Sequence, residues 1–189
     1  YSVDVGPKSM LIGLTGRNAS GKTTVVEWFS ERGFVTESCS DSIRAWLAEK
    51  GVEATRENLI EGGRELRRQG GGGILAEMLL ERLNGRDAVI DSIRTPAEVD
   101  ALRQREDFIL IEVVADPGIR WSRAKMRSRP GDPSSEAEFI ESEKKELEAT
   151  DQAGQALIAT AAMADLKIEN DGNLDALGSK LSQIISDIS

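Results

Sequence analysis

The stretch Gly16-Arg17-Asn18-Ala19-Ser20-Gly21-Lys22-Thr23 constrains this chain more than any other. Glycine, four residues, then Gly-Lys-Ser/Thr is a phosphate-binding pattern. Its flanks supply the context that the pattern needs. Met10 to Thr15 is apolar enough for a buried parallel strand, and Thr23 to Arg32 reads as a helix that Gly33 ends. Such a strand, loop and helix aim backbone N–H groups and the positive end of a helix at an anion. Gly16 and Gly21 allow torsions and a close approach that a Cβ would block. The pattern predicts that Gly16, Asn18, Ala19, Ser20, Gly21 and Thr24 surround a phosphate chain. Lys22 is expected to reach its outer phosphates, and the Thr23 hydroxyl to hold Mg²⁺. By average residue usage the pattern arises by chance in roughly one chain of this length in a hundred. The flanking strand and helix lower that further.

Composition removes several other chemistries. The 189 residues hold no histidine and one cysteine, Cys39. Ser-His-Asp, Cys-His and His-metal mechanisms are therefore absent, and so is an internal disulfide. A proton transfer must use a carboxylate, a lysine or water. The length suits one domain with a mobile insert. The net charge of −9 argues against general nucleic-acid binding and against docking on an acidic membrane. No apolar run approaches a membrane span, and no secretory pattern is visible. The expectation is a cytoplasmic protein. It begins with Tyr1 rather than Met, which leaves open whether it is a fragment of a longer protein.

Residues 1–9 read as a lead-in to a domain over 10–189. Phe34 to Cys39 is a second strand, and Ser40-Asp41 caps a helix from about Ser42 to Lys50. Asp41 thus falls at the strand-end edge where open α/β sheets bind ligands. A plain N-cap is its other reading. Thr55 begins a helix with Leu59, Ile60, Gly63 and Leu66 on its apolar side. Arg64, Arg67 and Arg68 neighbour that side, where Glu61 and Glu65 answer some of their charge. The reading places at least one of these arginines toward phosphate. Gly70 to Gly73 lacks a preceding strand, and serves as a flexible joint or a site of close backbone approach.

Asp87 to Asp91 is an apolar strand ending in a carboxylate that suits a Mg²⁺ ligand or its water shell. Arg94 lies at the same edge, facing the acceptor, pairing with Asp91, or both. Thr95-Pro96 caps and starts another helix. Phe108 to Val114 is a fully buried strand, and Asp116-Pro117 opens a helix. From Arg120 to Arg129 that helix carries five cations and no anion. Arg120, Arg123 and Arg127 share one face, and an anion-binding role outweighs a solvated charge run. Helices follow at about 135–149 and 151–163. Asp165 to Asn170 is a last strand, and a final helix points Leu177, Leu181, Ile184 and Ile185 inward.

Strands and helices alternate throughout, which implies a parallel sheet covered on both faces. With these motifs in order, the chain resembles the P-loop nucleoside and nucleotide kinases. Within them it is most similar to dephospho-CoA kinase and to archaeal adenylate-kinase-related proteins. The resemblance rests on Gly16 to Thr23, Asp41-Ser42-Ile43-Arg44, Arg64-Glu65-Leu66-Arg67, Asp91-Ser92-Ile93-Arg94, the Arg120/Arg123/Arg127/Arg129 set and Asn170-Asp171-Gly172. It implies a three-layer fold with a five-stranded sheet in order 2-3-1-4-5. It also implies an acceptor-binding insert at about 42–84, a lid at about 117–150, and Asn170 to Asn173 lying by an adenine.

The implied activity is transfer of the γ-phosphoryl group of ATP, with Mg²⁺, to a small nucleotide-like acceptor. Lys22, Arg123 and Arg127 then neutralise the moving group, with Arg120, Asn170 and Gly172 on the nucleotide and Thr23 and Asp91 on the metal. Asp41, Arg44, Arg64 and Arg94 face the acceptor. A hydroxyl acceptor needs Asp41 as base, whereas a phosphate acceptor needs the arginines more. A different class of function is a nucleotide-sensing P-loop domain of a larger protein, such as a nucleotide deaminase. A simple ATPase is disfavoured by the arginine-rich lid.

Overall fold

The computed structural model describes residues 9–17, 19–127, 133–148 and 152–188. Five strands form one parallel sheet: β1 (Leu11–Thr15), β2 (Val35–Ser38), β3 (Ala88–Asp91), β4 (Phe108–Val114) and β5 (Leu166–Glu169). Their order is β2-β3-β1-β4-β5, as the resemblance implied. The apolar strands have a direct cause. Leu11, Ala88 and Ile90 face one core cluster, while Ile12, Leu14 and Val89 face another. A sheet buried on both sides leaves no face for a polar residue.

The first cluster packs against α2 (Cys39–Glu49), α4 (Ile74–Leu83) and α5 (Pro96–Leu102). The second packs against α1 (Lys22–Ser30) and α9 (Leu174–Ile188), through Val25, Phe29, Leu177 and Leu181. Each fully buried Leu or Phe of this kind stabilises the fold by roughly 1.5–3 kcal/mol. The remaining helices are α3 (Arg56–Gly70), α6 (Pro117–Arg127), α7 (Glu136–Glu148) and α8 (Gln152–Ala162).

Two local expectations change. The second strand stops at Ser38, one residue short, because Ser38 and Asp41 form a capping box that starts α2 at Cys39. Ser38, not Ser40-Asp41, is the N-cap, and Asp41 sits inside the first turn. Ile60 was placed on the apolar side of α3 but is 47% exposed. Gly62, Gly63 and Leu66 take the buried stripe. Ile60 lies about 100° around the helix from Leu59, outside that stripe.

The glycine run is a close approach. A Cβ on Gly73 would meet the Ala97 carbonyl oxygen at 2.9 Å. This lets α4 start directly against α5. In the same sheet, Ser38 pairs in register with Asp91, and Thr15 with Glu112. The carboxyl ends of β2, β3, β1 and β4 therefore line one edge.

Candidate phosphate-binding site

β1 ends at Thr15, the loop runs on, and α1 begins at Lys22, so the first free N–H groups of that helix open at the loop. Gly21 caps the helix with φ +104°, in the left-handed region, and the neighbouring Ala19 has φ +62°. A β-carbon on Gly21 would lie 2.1 Å from Asn170 Nδ2. Torsion and space thus both require glycine there.

Lys22 Nζ donates to the carbonyl oxygens of Gly16 (2.7 Å) and Arg17 (2.9 Å). Its pKa is lowered to about 8. Burial is the main cause; Asp91 opposes the shift, while the cations of Arg94, Arg127 and Arg120 add to it. Charged groups from the end of β3, the segment after it and α6 therefore lie within electrostatic reach of Lys22.

Among the described residues, three buried side-chain oxygens in this region have no hydrogen-bond partner: Thr15 Oγ1, Ser20 Oγ and Asp91 Oδ1. Buried polar groups are normally satisfied. Here they border the phosphate loop, so a bound ligand is the natural partner. Asp91, with the exposed hydroxyl of Thr23 on the first turn of α1, fits a Mg²⁺ ion held by few protein oxygens and by substrate phosphates. Among the described residues, no group of three or more His, Cys, Asp or Glu gathers into an all-protein metal cage.

The lid-helix arginines divide by position. Arg123 was expected to face the moving phosphoryl group. Its Nη1 donates to the carbonyl oxygens of Ser20 (3.1 Å) and Ala19 (3.4 Å), and its Nη2 to that of Asn170 (2.6 Å). It ties α6 to the loop. Arg120 is 3% exposed, with its Nε on the Ala115 carbonyl (3.0 Å) and its guanidinium paired with Glu143 of α7. Arg127 is exposed at the end of α6 and acts on Lys22 through its charge. Asn170 was expected beside an adenine. Its side chain instead donates to the Ser20 carbonyl at 2.9 Å, while Gly172 is exposed in the turn that follows. Thr24 is half-buried on α1. Asn18 and Arg129 lie outside the described residues.

On the acceptor side, Asp41 Oδ2 accepts from the Ser38 N–H at 2.8 Å, and Oδ1 accepts from Arg44 Nη1 at 3.1 Å. Asp41 is thus the capping-box partner of the Ser38 N-cap rather than the N-cap itself, and both its oxygens are engaged. Arg94 is exposed and forms none of the ion pairs among the described residues. The local pair with Asp91 is therefore not made. Arg64 meets Glu61 at 3.4 Å on an open face of α3, with both side chains about three-quarters exposed (73% and 74%). Arg67, one turn on, lowers the Cys39 thiol pKa against the upward push of burial. Arg67 is thus within electrostatic reach of the β2–α2 junction. Its position i+3 to Arg64, beside Leu66, was the available signal. Thr15 and Glu143 carried no motif and were not foreseen.

No protein-family model matches the chain. It is 30% identical over 187 residues to a UPF0200 protein of Thermococcus onnurineus (strain NA1), covering 95% of this chain and 98% of that one. Among solved structures it is similar to TT1252 from Thermus thermophilus, with a TM-score of 0.58 and 19% identity over 97% of this chain and 100% of that one. It is also similar to shikimate kinase from Acinetobacter baumannii in complex with shikimate, with a TM-score of 0.53 and 18% identity over 95% and 94% of the two chains. These structures share the P-loop kinase fold. The narrower likeness to dephospho-CoA kinase rests on the sequence motifs alone.

Proposed function

The chain belongs to the UPF0200 family, and for this member we propose an ATP-dependent phosphotransferase that moves the γ-phosphoryl group to a small, phosphate-bearing, nucleotide-like acceptor. One observation carries the reading. Lys22 lies within electrostatic reach of Asp91, Arg94, Arg120 and Arg127, where Asp91 Oδ1 is buried without a partner. Holding a triphosphate needs only the loop and its lysine. Extra cations from two further elements suit a group passed between two anions, since pre-placed charge stabilises the charge that develops in transfer.

Lys22 would leave the Gly16 and Arg17 carbonyls for phosphate oxygens. Asp91 and Thr23 would hold Mg²⁺, which when bound neutralises charge between the β- and γ-phosphates. Arg44, in the region of about 42–84, and Arg94, just after β3, would meet the acceptor. The lid of about 117–150 would exclude water.

The acceptor class follows from proton bookkeeping. A hydroxyl needs a base. The chain has no histidine, and both Asp41 oxygens already accept from protein donors. A phosphate arrives as an oxyanion and needs cations instead, which favours a nucleoside monophosphate over dephospho-CoA. The net charge of −9 also suits a small molecule rather than a nucleic acid.

Ligands that bind only the folded state raise its melting temperature. A non-hydrolysable ATP analogue with Mg²⁺ should raise it, and one nucleoside monophosphate should raise it further when the analogue is present. A second rise with dephospho-CoA alone would contradict the acceptor class. No response to the analogue would contradict the nucleotide site.

A further inference from the structure

Asn170 follows the last residue of β5 and is 6% exposed. Its backbone N–H donates to the Val114 carbonyl at 2.7 Å, which seats it at the end of β4. From there its side chain reaches 150 positions back along the chain to the Ser20 carbonyl, at 2.9 Å. Arg123 donates to the same carbonyl from α6 at 3.1 Å, and to the carbonyl of Asn170 itself at 2.6 Å. The next residue, Asp171, accepts the Asp116 N–H at the head of α6 (2.8 Å). This turn therefore joins the phosphate loop, α6 and the sheet.

The geometry of one peptide unit gives the knot its consequence. In a planar trans peptide the C=O and the following N–H point in opposite directions. Two donors hold the Ser20 carbonyl on the Asn170 side, so the Gly21 N–H is turned to the other side. That N–H is one of the free donors at the start of α1, where an anion is favoured. Gly21 has no Cβ to obstruct Asn170 Nδ2, and its φ of +104° completes the turn.

We propose that Asn170 is a positioning residue for the phosphate loop. It fixes the Ser20–Gly21 peptide so that the Gly21 N–H faces the phosphates, and so acts on any triphosphate whatever its base. The proposal rests on the phosphotransferase reading only in taking a triphosphate as the ligand.

The test measures affinity of the full chain, by calorimetry with Mg²⁺, for three probes: non-hydrolysable analogues of ATP and GTP, and inorganic tripolyphosphate. Losing one hydrogen bond at a pre-placed loop should weaken Asn170→Ala about tenfold. The factor should be the same for all three probes, with the KM of the acceptor unchanged. Weakening confined to the ATP analogue would assign Asn170 to the base and overturn the proposal. A lower melting temperature with unchanged affinities would make Asn170 merely structural, and would overturn it too. If Asn170→Ala does not fold, Arg123→Met removes the other donor to the same carbonyl. It must then show the same equal loss, and a base-selective loss or none overturns the proposal. Wild-type protein that binds none of the probes would refute the nucleotide site itself, and with it the larger reading.

Discussion

The donor and acceptor halves of the site are built by different means. In the donor half, partners come from far along the chain: Arg123 reaches Ser20 across 103 positions, and Asn170 reaches it across 150. The Arg120–Glu143 pair beside it is 3% and 14% exposed. In the acceptor half, Arg44 and Arg64 pair within their own helices, and Arg94 forms none of the ion pairs among the described residues. Arg44 meets Asp41 and Arg64 meets Glu61, each at i,i+3 and each half or more open to water except for Asp41 at 42%. Long-range buried bonds fix a geometry before any ligand arrives. Local exposed pairs fix little and exchange easily for a ligand. On the proposed function, nucleotide binding would rest on bonds that the fold fixes, and acceptor choice on side chains that the fold barely restrains.

The largest expected difference between the halves is in stability. Glu143→Ala strands a buried arginine and should cost about 3–5 kcal/mol. Glu61→Ala opens a pair in solvent and should cost under about 1 kcal/mol. Denaturant midpoints measure both, and similar costs would erase the contrast. Next come the acceptor kinetics. Arg94→Ala should raise the acceptor KM about tenfold, the size of a lost charge-assisted hydrogen bond, with ATP affinity unchanged. Arg64→Ala should move it less than about threefold, since its guanidinium is open to water. The reverse ranking would relocate the acceptor to α3.

The smallest effect is on pH. Lys22 is charged in both states below its native pKa of about 8, where burying that charge costs stability. Between there and its ordinary value of 10.5, the native state loses the proton before the unfolded chain does. Stability from this group therefore rises with pH across that window. Binding runs the other way, because a triphosphate favours the charged lysine. Asp91 of β3 faces it with the same sense, and Arg94, Arg120 and Arg127 oppose it. Calorimetry near pH 8.5 should show proton uptake on binding that Lys22→Ala removes.

A buried parallel sheet was readable because β1, β3 and β4 are apolar on both faces and because a glycine loop of this type demands a strand before it and a helix after it, whereas its strand order came from the family resemblance. A helix start at Asp41 was readable, but the Ser38 cap was not, since Ser38 also fits the end of β2. The knot of Ser20, Arg123 and Asn170 was not readable either. Each residue drew notice in its own motif, but their meeting depends on β5 lying beside β4 at the sheet edge. Arg120 shows the same limit. A run of cations looked like one anion-binding face, yet Glu143 on a separate helix takes up one of them. The misplacement of Ile60 has a simpler cause: Gly63 and Leu66 were read on the apolar side, but Gly62 gives no apolar signal and Ile60 does, although Gly62 is in the buried stripe of α3.

The central claim is that the phosphate loop is the donor half of a transfer site. Following the γ-phosphoryl group of labelled ATP, with Mg²⁺ and a panel of nucleoside monophosphates and dephospho-CoA, tests it most directly. The account predicts that label passes to one monophosphate, that ADP forms only when that acceptor is present, and that Lys22→Ala reduces transfer to background. Tight ATP binding without acceptor-dependent ADP, or transfer that survives Lys22→Ala, would contradict it.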